Sequence, residues 1–150
     1  MAAAKEDEPA MFYAVEYDAT GPTVIAHLPD LPGTHDEGAT REEALERLRG
    51  AAIVMLQSLI DDREDIPDPS PPNGRPVLSL PSVVWAKVLL YRSMQEKGWR
   101  KADMARAIAK GGQKAADRLL NLSHASKPDQ IDAAFAALGL GLVPEVQRAA

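Results

Sequence analysis

The sequence predicts an α+β protein built from a β-β-β-α-β module followed by an all-α module of four helices. Three observations predict it. Short runs of aromatic and branched residues precede one long amphipathic stretch in the first half, whereas only helical periodicity appears in the second. Half of the twelve prolines, Pro67, Pro69, Pro71, Pro72, Pro76 and Pro81, crowd between the halves. The charge also changes sign there: residues 1–80 carry 6 Lys+Arg against 16 Asp+Glu, and residues 81–150 carry 11 against 6. The whole-chain net charge of −5 is therefore a sum of −10 and +5, and it conceals two modules suited to different partners. The expected limits are 11–65 for the first module, 66–81 for a stiff proline-rich linker and 82–143 for the second module.

In the first module, Phe12–Tyr17 (FYAVEY) reads as a strand. Turn chemistry follows at Thr20-Gly21-Pro22, then a second strand over Thr23–Leu28 that pairs with the first as a hairpin. Pro29, Pro32 and Gly33 punctuate the chain before a short third strand over Thr34–Glu37. Thr40-Arg41-Glu42-Glu43 has the pattern of a capping box, in which Thr40 accepts from the Glu43 amide and Glu43 reaches back to the Thr40 amide. Leu45, Leu48, Ala52, Met55, Leu56 and Leu59 then recur at helical spacing. Pro76–Leu80 adds an edge strand.

In the second module, Ser82 is placed to cap a helix over Val83–Lys97. Val84, Trp85, Val88, Leu89 and Tyr91 are expected inward, with Leu90 or Met94, and Gly98 sits just past the end. A short helix spans Lys101–Ala109, a turn falls at Lys110-Gly111-Gly112, and a third helix spans Gln113–Leu122 with Ala116, Leu119 and Leu120 inward. That inward set requires a turn one residue longer than usual; the strict register would turn Arg118 inward. Pro128 opens a fourth helix, with Ile131, Ala134, Phe135 and Leu138 inward and Gly139 at its end. Leu140–Val146 (LGLVPEV) reads as an apolar edge strand suited to pairing across a dimer axis.

Two short helices joined by a glycine turn and braced on both sides make the helix-turn-helix plan. Gln113, Lys114, Asp117 and Arg118 stand at the exposed start of the reading helix, where glutamine suits adenine and arginine or lysine suits guanine. Arg100, Lys101, Lys110 and Lys127 surround it and suit phosphates, with His124 either on a phosphate or idle in its loop. Without cysteine the chain forms no disulfide, Cys-ligated zinc site or iron–sulfur cluster. Asp18, Asp30, Asp36 and Glu43 sit where turns and caps need them rather than as a catalytic carboxylate set, and His27 and His35 lack a third metal ligand. No cofactor is expected. Residues 1–10 carry no apolar signal core and no run is long enough to span a membrane, so a cytoplasmic, non-enzymatic chain is expected. Two other readings are a free-standing transcription regulator with a ligand-sensing first module and a metal-dependent nuclease.

Two sets of residues carry a family resemblance. FYAVEYD, HLPDLPG, GATREEALERLRGAAIVMLQSLIDD and IPDPS in the first module resemble the HicB antitoxins. KADMARAIA and DRLLNLSHASKPDQIDAAFAALG resemble the C-terminal helix-turn-helix of one branch of that family. The resemblance implies a truncated RNase H-like first module without a working catalytic set. It also implies a partner, a basic mRNA-cleaving HicA-type toxin, and repression of the chain's own operon. An acidic module suits a basic partner, and the expected toxin contacts are Glu42, Glu46, Asp61 and Asp62 on the first helix, with the linker. Operator binding implies a homodimer, or a higher homo-oligomer, reading half-sites about one DNA turn apart.

Overall fold

The structure, a computed structural model, describes residues 12–144 and 146. It is a mixed α/β fold with small antiparallel sheets and, among the described residues, five helices. The acidic segment 1–10 and Glu145 lie outside the described residues. The chain forms two compact units, residues 12–52 with 67–79 and residues 53–66 with 80–146.

In the first unit the predicted strand over Phe12–Tyr17 divides into β1 (Tyr13–Ala14) and β2 (Glu16–Asp18). The reason is a change of partner at Val15. β1 pairs antiparallel with β5 (Val77–Leu78), and the Val15 amide donates to Pro76 O at 2.8 Å. Beyond it β2 pairs with β3 (Val24–His27), which pairs with β4 (His35–Gly38), both antiparallel. A tight loop joins β3 to β4: Leu31 and Thr34 amides donate to Leu28 and Leu31 carbonyls, and Gly33 takes φ +82°. The proline-rich stretch is bound into this unit. Tyr13 donates its hydroxyl to Pro67 O at 2.6 Å, and Asp30 accepts from the Ser70 amide and hydroxyl. Arg49 donates to Ser79 O at 2.7 Å.

Helix α1 (Arg41–Asp61) begins where Thr40 accepts the Glu43 amide at 3.1 Å, as its sequence predicts. Glu43 reaches one residue further back than a strict capping box, to the Ala39 amide. Gly38 makes this entry possible: a Cβ there would lie 2.5 Å from the Ala44 nitrogen and 2.9 Å from Glu43. The buried stripe is Ala44, Leu48, Ala52, Leu56 and Ile60, an i, i+4 row. The helix contributes its start to the first unit and its end, from Ile53, to the second.

The second unit holds α2 (Ser82–Glu96), α3 (Lys101–Ala107), α4 (Gly112–Leu119) and α5 (Pro128–Ala137). Ser82 is the first helical residue and not the cap; the cap is Pro81, which offers no side-chain acceptor. At both Gly98 and Gly139 a positive φ ends a helix, and paired backbone bonds close the turn (Trp99 N to Met94 O, Leu140 N to Phe135 O). Helix α3 stops at Ala107, earlier than its pattern suggests, because Ile108 is already extended. α4 starts at Gly112 and its cap is Leu120, so residues 120–122 leave the helix. Gly111 has φ +91°, and a Cβ on it would lie 2.5 Å from the Ala115 Cβ. The described residues of Leu140–Val146 pair with no strand of their own chain, and Val143 and Val146 are exposed; the expected pairing across a dimer axis involves a second chain.

The apolar face of α2 contains an unexpected member. Trp85 and Leu89 are only half-buried, whereas Lys87 is fully buried. Its Nζ donates to three carbonyls, Arg118 O at 2.8 Å, Asn121 O at 2.8 Å and His124 O at 2.7 Å. An ammonium has three protons, and the end of a helix has carbonyls without intrahelical partners. The fit is complete, and the positive charge sits at the negative end of α4. Gln57 reinforces it, accepting from the Leu122 amide at 2.8 Å and donating to Leu120 O at 3.2 Å. Burial lowers the Lys87 pKa to about 8.

Two predictions follow from these contacts. Gly38→Ala should destabilise the chain by about 1–3 kcal/mol through overpacking, whereas Gly50→Ala, in open space within α1, should stabilise it by about 0.5–1 kcal/mol; thermal melts of the two variants check both. Lys87→Met should cost about 2–4 kcal/mol near neutral pH by orphaning buried carbonyls. The folded pKa lies below the ordinary lysine value of 10.5. Between the two values the unfolded chain keeps a proton that the folded chain has released. Wild-type stability relative to Lys87→Met should therefore rise with pH through that window, read from urea unfolding at about pH 7 and about pH 9.5.

Candidate functional site

Helices α3 and α4 pack on each other, and each packs on α5. The short turn and the glycine entry direct one face of α4 inward. Ala116 and Leu119 are buried, and Gln113, Lys114, Asp117 and Arg118 are exposed. Arg118 is thus outward, in the register that the longer turn permits.

These four side chains are not equivalent. Asp117 Oδ1 accepts from Gln113 Nε2 at 3.1 Å and lies 3.6 Å from Lys101 Nζ. One carboxylate therefore ties the first residue of α3 to the surface of α4 and partly neutralises Lys101. Lys114 and Arg118 form no side-chain hydrogen bond or ion pair with the described residues, so both cations are available. Arg100 and Lys127 are exposed at the starts of α3 and α5. Asp103 accepts from the Arg100 amide at 2.8 Å and from Arg106 at 2.6 Å. The Arg100 amide, with Arg106 alongside, holds the Asp103 carboxyl below the usual carboxylate range. His124 is half-buried; its carbonyl is held by Lys87, and the residue borders a cleft of about 370 Å³ with Arg118. Sequence reasoning missed Lys87. The available signal was its place three residues after Val84 and four before Tyr91, within the buried stripe.

The acidic residues on α1 and just past its end, where Asp62 lies, are distributed over both units. Glu42 and Glu46 belong to the first, where Glu46 pairs with Arg49. Asp61 and Asp62 belong to the second, as do Glu64 and Asp65, so the helical unit is less basic than the second half of the sequence. Asp61 accepts from Gln57 at 2.9 Å and borders a cleft of about 400 Å³ together with Arg100, Lys101 and Gln113. Asp18, Asp36 and Glu43 are engaged in local turn or cap bonds, and Asp30 holds the distant Ser70. His27 and His35 face each other across β3 and β4, and no group of three metal-ligating side chains is assembled among the described residues. No described helix is long and apolar enough to cross a membrane.

No protein-family model matches the chain. It is 36% identical over 124 residues to "Antitoxin HicB 2" of Photorhabdus laumondii, covering 83% of this chain and 86% of that protein. It is 34% identical over 140 residues to "Antitoxin HicB" of Pseudomonas fluorescens, with coverage of 91% and 94%. It is 35% identical over 111 residues to "Antitoxin HicB" of Escherichia coli, with coverage of 73% and 80%. Matches of this identity spanning both structural units show that the chain belongs to the HicB antitoxin family.

Proposed function

We propose that the chain neutralises a basic, mRNA-cleaving HicA-type toxin through its first unit and represses its own operon through its second. The observation that carries this reading is the outward set on α4. Gln113, Lys114 and Arg118 are exposed on a short helix whose far end is anchored by a buried cation. A protein that reads base edges needs rigidly placed donors of this kind. The pair α3–α4 serves as a helix-turn-helix, with Arg100, Lys101, Lys110 and Lys127 on phosphates.

The first unit acts as a truncated RNase H-like fold, and its acidic residues meet the cationic surface with which such a toxin holds RNA. Glu42 and Glu46 contribute to that contact from the first unit; Asp61 and Asp62, which belong to the second unit, are secondary contacts in this reading. A single module of this size binds DNA weakly, so the repressor is a homodimer or a higher homo-oligomer reading two half-sites. The chain acts in the cytoplasm, where both operator and mRNA lie, and without catalysis of its own.

Two experiments test the two halves. The chain should co-purify with the product of an adjacent toxin gene at low and moderate salt; failure at both would remove the antitoxin role. In mobility shifts with the upstream region, Lys114→Ala with Arg118→Ala should abolish sequence preference, whereas Lys127→Ala should weaken all sequences alike and lower the salt slope by about 1. Unchanged operator binding by the double variant would show that α4 is not the reading helix.

A further inference from the structure

One helix covers one face of the β2-β3-β4 sheet. Tyr17 and Ala26 lie on the covered face, where Tyr17 stacks under the Arg41 guanidinium at 5.0 Å and Ala26 is fully buried. Strand alternation puts Glu16, Asp18, Ile25, His27, His35 and Glu37 on the other face. That face is open: Ile25 is 37% exposed, and Glu16, Asp18, His35 and Glu37 are exposed.

The register orders these side chains. Asp18 pairs with Ile25, and Ile25 with Glu37, so two carboxylates flank an exposed isoleucine in one cross-strand row. At ordinary strand spacing the carboxylate-bearing positions are about 10 Å apart. The adjacent row is Glu16, His27 and His35, in which His27 Nε2 lies 3.3 Å from Glu16, whose other oxygen meets Arg75 at 2.9 Å. Within the first row the carboxylates are aligned by hydroxyls, Asp18 by Thr20 at 2.7 Å and Glu37 by Thr23 at 2.9 Å. The Thr20 bonds hold the Asp18 carboxyl below the usual carboxylate range, so it presents a charge.

A second, independent feature adjoins the row. Asp18, Ile25 and His27 border an open cleft of about 410 Å³ together with Pro29, Pro32 and Thr34. Thr34 is 3% exposed, and its hydroxyl has no hydrogen-bond partner. A buried polar atom without a partner carries a free-energy cost, which a ligand group would remove if its entry shifted the cleft wall enough to reach the hydroxyl.

We propose that this open sheet face, centred on the Asp18–Ile25–Glu37 row, is the principal seat of the basic toxin, with the cleft at Thr34 receiving one of its polar side chains. The proposal rests on the antitoxin reading and gives it a surface. The row fits a partner with two cationic side chains straddling an apolar one. Cations seated there are withdrawn from RNA, so occupation of this face also blocks the toxin's substrate.

The test is the affinity of the full chain for the catalytically inactivated toxin from the adjacent gene, at about 0.1 M salt, where surface charge still acts. Asp18→Asn with Glu37→Gln should weaken binding by about tenfold or more with an unchanged melting temperature, whereas Glu96→Gln with Asp132→Asn, at exposed positions outside the proposed contacts, should leave it within about twofold. Thr34→Val should weaken the complex without destabilising the free chain. Binding of both the Asp18/Glu37 pair and Thr34→Val within about twofold of wild type would overturn the proposed seat while leaving the antitoxin reading intact. Failure of the wild-type chain itself to bind would overturn both.

Discussion

A buried ammonium at the carboxyl end of α4 is the constraint on which the helical unit depends. α4 is too short to hold itself together, since an isolated helix of its length is marginal in water. Its last carbonyls would face the interior without partners. Lys87 supplies all three of its protons to the carbonyls of Arg118, Asn121 and His124, and Gln57 supplies an acceptor and a donor to the same turn. The loop that follows is fixed by the same bonds, so the start of α5 is fixed with it. The arrangement costs desolvation, visible in the lowered pKa of Lys87. What it secures is direction: with the far end anchored and Gly111 admitting Ala115 at the near end, the exposed row from Gln113 to Arg118 has one orientation.

The first unit solves a different problem. Its sheet is small and has one covering helix, whose first turn approaches closely only because position 38 has no side chain. The second sheet face is left to water and is dressed with carboxylates, histidines and one isoleucine instead of a second layer. Charged side chains on that face also discourage pairing of the exposed β4 edge with other chains. The proline-rich stretch completes this unit: Tyr13, Asp30 and Arg49 each fasten part of it. In the second unit Asp61 borders the same cleft as Arg100, Lys101 and Gln113. Any partner that engages Asp61 borders the cationic start of α3 as well.

Elements with local signals were legible in the sequence. Thr40 starts α1, Pro128 starts α5, and Gly98 and Gly139 end α2 and α5, because caps and positive-φ turns are decided by residues within a few positions. The exposed row of α4 was legible once Ala116 and Leu119 were taken as inward. Features set by distant residues were not. Val15 interrupts its strand because Pro76 lies against it, and nothing within FYAVEY encodes that. Lys87 carries the chemistry of a surface residue, and only its place in the buried stripe of α2 betrays it. For the site, residue types and exposure were legible, but the coupling of Asp117 to Lys101 and Gln113 required the helix crossing to be known.

On the proposed function one chain carries two separable activities, and the Lys87 anchor serves only one of them. The direct measurement is to titrate a single preparation of Lys87→Met with operator DNA and, separately, with the toxin. The account predicts loss of operator affinity by about tenfold or more, because α4 loses its far anchor, with toxin affinity within about twofold of wild type. Operator binding at wild-type strength by that variant would contradict it.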